Sequence, residues 1–101
     1  MEPKEIFDQC VEEFVGQQNE LMEADGITNE PQTAEDLGLI YKFHEPNVVT
    51  VDGNLYDIMK YGSLWLNWGA SLHTAIHNSM KEHGWLIEAQ SGCDYIFFKH
   101  Q

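Results

Sequence analysis

A chain of 101 residues, 43% of them hydrophobic, is long enough for one small domain with a modest core and too apolar to be disordered throughout. It carries 17 acidic residues against five lysines and no arginine, which gives a formal net charge of −12. This balance excludes the basic stripe that direct nucleic-acid binding or attachment to an anionic membrane needs, and no apolar run approaches the length of a membrane span.

The first predicted element is an amphipathic helix from about Pro3 to Glu23. Pro3 suits the first turn of a helix, and Asp25-Gly26 is a stop signal. The helical repeat places the apolar residues on one face: Ile6, Phe7, Cys10, Val11, Phe14, Leu21 and Met22. It places six carboxylates on the opposite face: Glu5, Asp8, Glu12, Glu13, Glu20 and Glu23.

The middle of the chain is predicted to form turns and strands. The polar residues 26–38 contain Thr33–Asp36, which resembles a capping box at the start of a short turn of helix, and Gly38 closes that turn. A short strand is predicted over Leu39–Phe43 and ends at Glu45-Pro46. The stretch Val48–Met59 carries the clearest β signal, because Val48–Val51 is β-branched, Asp52-Gly53 is a hairpin dipeptide and Asn54–Met59 follows it.

The last third of the chain predicts a turn at Tyr61–Ser63, a third strand over Leu64–Trp68 and a helix over Ala70–His83. A terminal hairpin is predicted from Trp85–Gln90 and Tyr95–Phe98. The order α-β-β-β-α-β-β over residues 1–101 indicates a single α+β domain, in which two helices cover one face of a mainly antiparallel sheet.

Negative charge is concentrated in the first part of the chain. Residues 1–45 hold twelve of the 17 acidic residues and two of the five lysines. Carboxylates that follow at i,i+3 and i,i+4 repel one another by a few tenths of a kcal/mol per pair. One interpretation is a solvated surface that serves solubility. The other is a carboxylate array, about 5–6 Å apart, that faces a basic nucleic-acid-handling protein, with Glu30, Glu35 and Asp36 beside it.

In size, acidity and helix-plus-hairpin format the chain resembles small phage-encoded DNA mimics and anti-defence proteins of the anti-CRISPR and anti-restriction kind. The segment from Gly69 to Phe98 also resembles small phage domains of the "ABA sandwich" kind, with a helix, a Gly-Trp step and a terminal hairpin. The first resemblance implies an inhibitor, without a cofactor, that occupies the nucleic-acid site of a nuclease or a CRISPR or restriction effector in the cytoplasm of the host.

The histidines and cysteines carry no recognisable catalytic motif, so an enzyme is not expected. His73 and His77 stand at i,i+4, a spacing that metal ligands use, but the interpretation preferred here is a pair at the edge of the core. A zinc site needs further ligands from His44, His100, Cys93 or an acid. Cys10 and Cys93 are expected as reduced thiols, with a bridge between them as the alternative.

Two tryptophans fall in the predicted third strand. If Leu64, Leu66 and Trp68 share its buried face, Trp65 is partly exposed, and Trp is a typical anchor of protein interfaces. Trp65 therefore joins the carboxylates as a candidate partner-binding residue. The other interpretation is that both tryptophans belong to the core, one covering the sheet and its neighbour closing an edge. Two other functions stay open: a structural or self-assembling phage accessory protein, for which a homodimer is one form, and a His-based metal-binding module.

Overall fold

The fold is described from a computed structural model that covers residues 1–26, 30–44 and 47–99. Helices and strands follow in the order α-β-β-α-α-β-β, which confirms the α+β class. Their bounds are α1 Pro3–Ala24, β1 Leu39–His44, β2 Val48–Asp52, α2 Gly53–Tyr61, α3 Ala70–Glu82, β3 Trp85–Ser91 and β4 Asp94–Lys99.

The four strands form one antiparallel sheet in the order β1-β2-β4-β3. Successive side chains point to opposite faces of a sheet, so each strand contributes to both. The inner face meets the helices and includes Leu39, Val49, Val51, Trp85, Tyr95 and Phe97. The outer face is partly exposed and includes Ile40, Leu86 and Phe98. The predicted antiparallel sheet is therefore confirmed, with helices over its inner face.

Helix α1 packs against this core with its first half only. Its buried residues are Pro3, Ile6, Phe7, Cys10, Val11 and Phe14. The predicted apolar stripe continues to Leu21, yet Leu21 is 59% exposed because the helix extends past the end of the core. Periodicity reports which face of a helix is apolar and cannot report where the neighbouring layer ends.

Residues 53–61 form a helix, so the predicted hairpin at Asp52-Gly53 and the strand over Asn54–Met59 were wrong. Asp52 is the N-cap of α2, and its carboxylate accepts a hydrogen bond of 2.7 Å from the Gly53 N–H. Leu55, Ile58 and Met59 are all buried, at the i, i+3, i+4 spacing of a helix.

The segment Leu64–Trp68 is a tight turn, so the predicted third strand was wrong as well. Leu64 and Trp68 form an isolated antiparallel bridge, in which the Leu64 N–H donates to the Trp68 carbonyl at 2.6 Å. Leu66 and Asn67, at the turn, have φ of 51° and 69°. Non-glycine residues rarely occupy this left-handed region, so the local pattern gave no signal for it.

Other expected elements are confirmed: the first helix, the helix that begins at Ala70, and the terminal hairpin. The capping box at Thr33–Asp36 is also present, since the Thr33 N–H donates to Asp36 Oδ2 and the Asp36 N–H donates to Thr33 Oγ1. Within residues 1–26, 30–44 and 47–99, none of the helices combines the length and the apolar character that crossing a membrane requires.

The substitution Gly69→Ala is expected to lower the free energy of unfolding markedly, and Gly84→Ala is the matched control. Both have positive φ, 83° and 79°, so alanine strains the backbone of either by about 1–2 kcal/mol. Only at Gly69 does an added Cβ collide with a buried neighbour, Ile58 Cδ1 at 2.5 Å, which adds about 1–3 kcal/mol. Urea denaturation should therefore show a clearly larger loss for Gly69→Ala than for Gly84→Ala. Equal losses would mean that Ile58 moves aside without strain.

Candidate functional site

The predicted acidic surface lies along α1. Five carboxylates on its outward side are exposed, and we call them the acidic face: Glu5, Glu12, Glu13, Glu20 and Glu23. In the part of the chain that the structure describes, the single ion pair joins Lys4 Nζ and Asp8 Oδ2 at 2.8 Å. None of the five carboxylates of the acidic face therefore forms an ion pair among these residues.

Asp8, expected on the same surface, instead links α1 to β1. Its Oδ1 accepts a hydrogen bond of 2.6 Å from the Tyr41 hydroxyl, and its Oδ2 accepts one from Lys4. Burial, together with this bond to the Asp8 carboxylate, raises the pKa of the Tyr41 hydroxyl well above its ordinary value. Asp8 is half-buried, and each of its carboxylate oxygens already accepts a hydrogen bond. Its contribution is therefore to hold the helix against the sheet.

The flanking acids lie on the segment that follows α1. Asn19 accepts a hydrogen bond from the Gln32 N–H and donates one to the Gln32 carbonyl, at 2.8 and 3.0 Å, which fixes this segment beside the second half of α1. Glu30 and Glu35 are exposed there. Asp36 is exposed too, but its carboxylate accepts the backbone and side-chain bonds of Thr33, which lower its pKa.

The turn at 64–68 places two large apolar side chains in solvent. Trp65 is 72% exposed and Leu66 is fully exposed, at 103%; we call this pair the apolar tip. Trp68 anchors the turn, since its ring packs against Phe14 at 5.4 Å between centroids and its Nε1 donates to Gln18 Oε1 at 3.0 Å. The turn that carries the apolar tip is therefore held against the middle of α1, on the side of Phe14 and Gln18.

Trp65 is exposed, as the predicted strand implied, whereas Leu66, which the same strand would bury, is exposed as well. The alternation of a strand predicted Leu66 on the buried side, and the left-handed backbone turns it outward instead. Strained, exposed residues of this kind cluster at functional sites. The structure thus adds one residue to the candidate surface and separates Asp8 from it.

The two histidines of α3 lie together, with ring centroids 4.4 Å apart. Among the described residues, no three histidine, cysteine or acidic side chains come close enough to hold a metal ion; His100, one of the proposed ligands, is outside them. Cys10 and Cys93 are both free thiols, and burial raises the pKa of the Cys10 thiol, which makes it a poor nucleophile.

The histidine pair predicts a loss of stability in mild acid. Burial lowers the pKa of His73 and of His77, and the neighbouring His73 charge lowers that of His77 further. Below the ordinary value of 6.5 the unfolded chain then binds protons that the folded chain does not, so the free energy of unfolding falls as pH falls. Asp36 and Asp94, whose pKa values are lowered, act in the same direction at lower pH.

Thermal melts between pH 7 and 5 test this, with His77→Gln as the comparison. The wild-type melting temperature should fall over this window, and the fall should be smaller in the variant because one of the two titrating groups is gone. Parallel curves for the two proteins would show that His77 does not carry the effect.

Comparisons with protein-family models, with curated protein sequences and with solved structures give no significant match to this chain.

Proposed function

We propose that this protein is a binding protein that occupies the nucleic-acid site of a basic nucleic-acid-handling protein and thereby inhibits it. The observation that carries the proposal is that one helix, α1, carries an acidic face whose carboxylates form no ion pair among the described residues and also anchors the turn with the exposed apolar tip. A solubilising surface accounts for the carboxylates but not for the exposed Trp65 and Leu66. An interface needs both parts.

The two parts have different roles in this proposal. The net charge of −12 attracts a basic partner over distance and accelerates the encounter. Trp65 and Leu66 then enter an apolar pocket of the partner, where a tryptophan anchor supplies much of the binding energy, while the carboxylates of α1 pair with Lys and Arg of the partner. Such a partner is a nuclease or a CRISPR or restriction effector, met in the cytoplasm of the host, as in DNA mimicry by phage anti-defence proteins.

A second candidate function, self-assembly, is favoured by the outer face of the sheet. Leu86 and Phe98 are direct partners across β3 and β4 and are both partly exposed there, and contiguous exposed apolar surface often marks an interface. Sedimentation of the purified protein separates the two. A stable homodimer that Phe98→Asp disrupts and Trp65→Ala leaves intact supports the structural or accessory function.

Salt dependence tests the proposed inhibition directly. Immobilised protein is exposed to a cell lysate at low ionic strength, and the captured proteins are identified and then tested for DNA binding in its presence. We expect basic nucleic-acid-binding proteins whose association slows as salt is raised, because the Debye length shortens to about 8 Å at physiological ionic strength. We also expect the protein to displace DNA from them. A captured partner whose association rate ignores salt, or which binds DNA and this protein together, contradicts the proposal.

A further inference from the structure

The strand β3 lies at an edge of the sheet, so that one side of its backbone has no neighbouring strand. In β4 the Phe97 N–H donates to the Asn47 carbonyl, on the β2 side. The N–H and C=O groups of successive residues point to opposite sides of a strand. Those of Ile96 and Phe98 therefore point toward β3, where the partner residues are Glu88 and Leu86. The N–H and C=O groups of the residue between those partners, Ile87, therefore face the free edge.

This edge has few of the features that protect natural edge strands: Glu88 is its one charged residue. β3 is seven residues long and contains neither lysine nor proline, and its irregularity lies at the far end, between Ala89 and Ser91. The half of the strand around Ile87 is regular. An extended chain can add to it there with main-chain hydrogen bonds.

A groove runs beside this edge, between β3 and α3. Its volume is about 550 Å³, enough for one or two side chains of an added strand. Trp85 and Ile87 supply an apolar floor, while His77, Asn78 and Lys81 form the wall on α3. A bound segment would place alternate side chains into this groove.

The groove has the opposite charge character to the rest of the molecule. Lys81 lines it, and Lys99 Nζ stands 4.4 Å from the centre of the Trp85 ring and 3.5 Å from the His83 carbonyl. Two of the five lysines thus flank Trp85. Neither forms an ion pair within residues 1–26, 30–44 and 47–99.

From these features we infer that the groove between α3 and β3 binds an extended peptide segment, which adds as a strand to β3 and sets a carboxylate against Lys81. The carboxylate is either a side chain or the end of the peptide. A second copy of this chain is a poorer occupant, because it brings a further net charge of −12. The groove contains no residue of the acidic face, so peptide binding there does not depend on the proposed inhibition.

The first test is selection from a displayed library of random short peptides with free carboxyl ends. We expect enriched sequences that join an apolar residue to an acidic one or to the terminal carboxylate. Lys81→Gln should weaken binding of an enriched peptide at least about tenfold, since hydrogen bonds to charged groups are the stronger ones. Lys42→Gln, which removes an exposed lysine of β1, should not weaken it. No enrichment, or equal effects of the two substitutions, overturns the proposal.

The second test is hydrogen exchange at the Ile87 amide, followed by NMR. Exchange should be fast in the free protein and slow in the complex with an enriched peptide, and N-methylation of the peptide amides that face β3 should abolish binding. Slow exchange in the free protein together with a sedimentation profile of a dimer would assign the edge to a second copy. Unchanged exchange on peptide binding would also overturn the proposal. The lysine substitutions on α1 described below should leave peptide binding intact.

Discussion

Exchanging Glu12 and Glu20 together for lysine is expected to abolish binding to the basic partner and to leave the melting temperature unchanged or higher. Both carboxylates are exposed on α1 and make no hydrogen bond among the described residues. Surface changes of this kind alter stability by less than about 0.5 kcal/mol each. In the complex, each new lysine faces a like charge, which costs several kcal/mol, so the affinity should fall by at least about a thousandfold.

A matched control is available elsewhere on the surface. Glu82→Lys with Glu88→Lys changes the net charge by the same amount, but these two exposed residues lie on α3 and β3. Association rates and affinities are measured for both variants against a captured partner. If the control loses as much affinity as the α1 variant, net charge alone drives binding and the acidic face has no special role. Asp8 is left unchanged because its bonds to Tyr41 and Lys4 would be lost with it.

The largest effect on stability is expected from Phe7→Ala, about 3–5 kcal/mol. Phe7 is fully buried, and its ring meets those of Tyr41, Phe43 and Phe97 with centroids 4.7, 5.4 and 6.4 Å apart. It thus connects α1 to three positions of the sheet. Small domains are stable by about 5–15 kcal/mol, so this one substitution removes a large share.

Phe98→Ala is the control for that substitution. Phe98 lies on the outer face and is 39% exposed, so its truncation leaves no enclosed cavity. Urea unfolding curves, extrapolated to water, should show a much smaller loss for Phe98→Ala, with similar slopes for both variants. Comparable losses would indicate that the outer face is covered in solution, as self-assembly requires.

The elements that sequence reasoning predicted correctly are those with a long or unbroken period. α1 and α3 repeat their apolar residues at helical spacing, and β2 has a run of β-branched residues. The segment 54–59 is so short that its apolar residues fit both the period of a strand and the period of a helix. Leu55, Tyr56, Ile58 and Met59 suit a strand next to Asp52-Gly53, and they suit a helix equally well. The N-cap bond of Asp52 decides for the helix, and that bond depends on where the chain turns.

The candidate site could be predicted in part for the same physical reason. Helical periodicity correctly located the acidic face on α1. It also placed Asp8 on that face, because a helical wheel does not show that Tyr41 approaches Asp8 from the sheet. The exposure of Leu66 had no signal, since its position depends on a left-handed backbone that leucine seldom adopts. The groove beside β3 could not be foreseen either, because strand order decides which strand lies at the edge.

The three tryptophans occupy three different surroundings, and this gives the molecule its own optical reporters. Trp65 is exposed at the apolar tip, Trp68 is partly buried against Phe14, and Trp85 is buried at the floor of the groove with Lys99 over its ring. Indole emission shifts to shorter wavelength as water is removed. Partner binding at the tip should therefore blue-shift the emission of Trp65, while a peptide in the groove should alter that of Trp85 by displacing Lys99. Variants that keep one tryptophan at a time would report each event separately, without an attached dye.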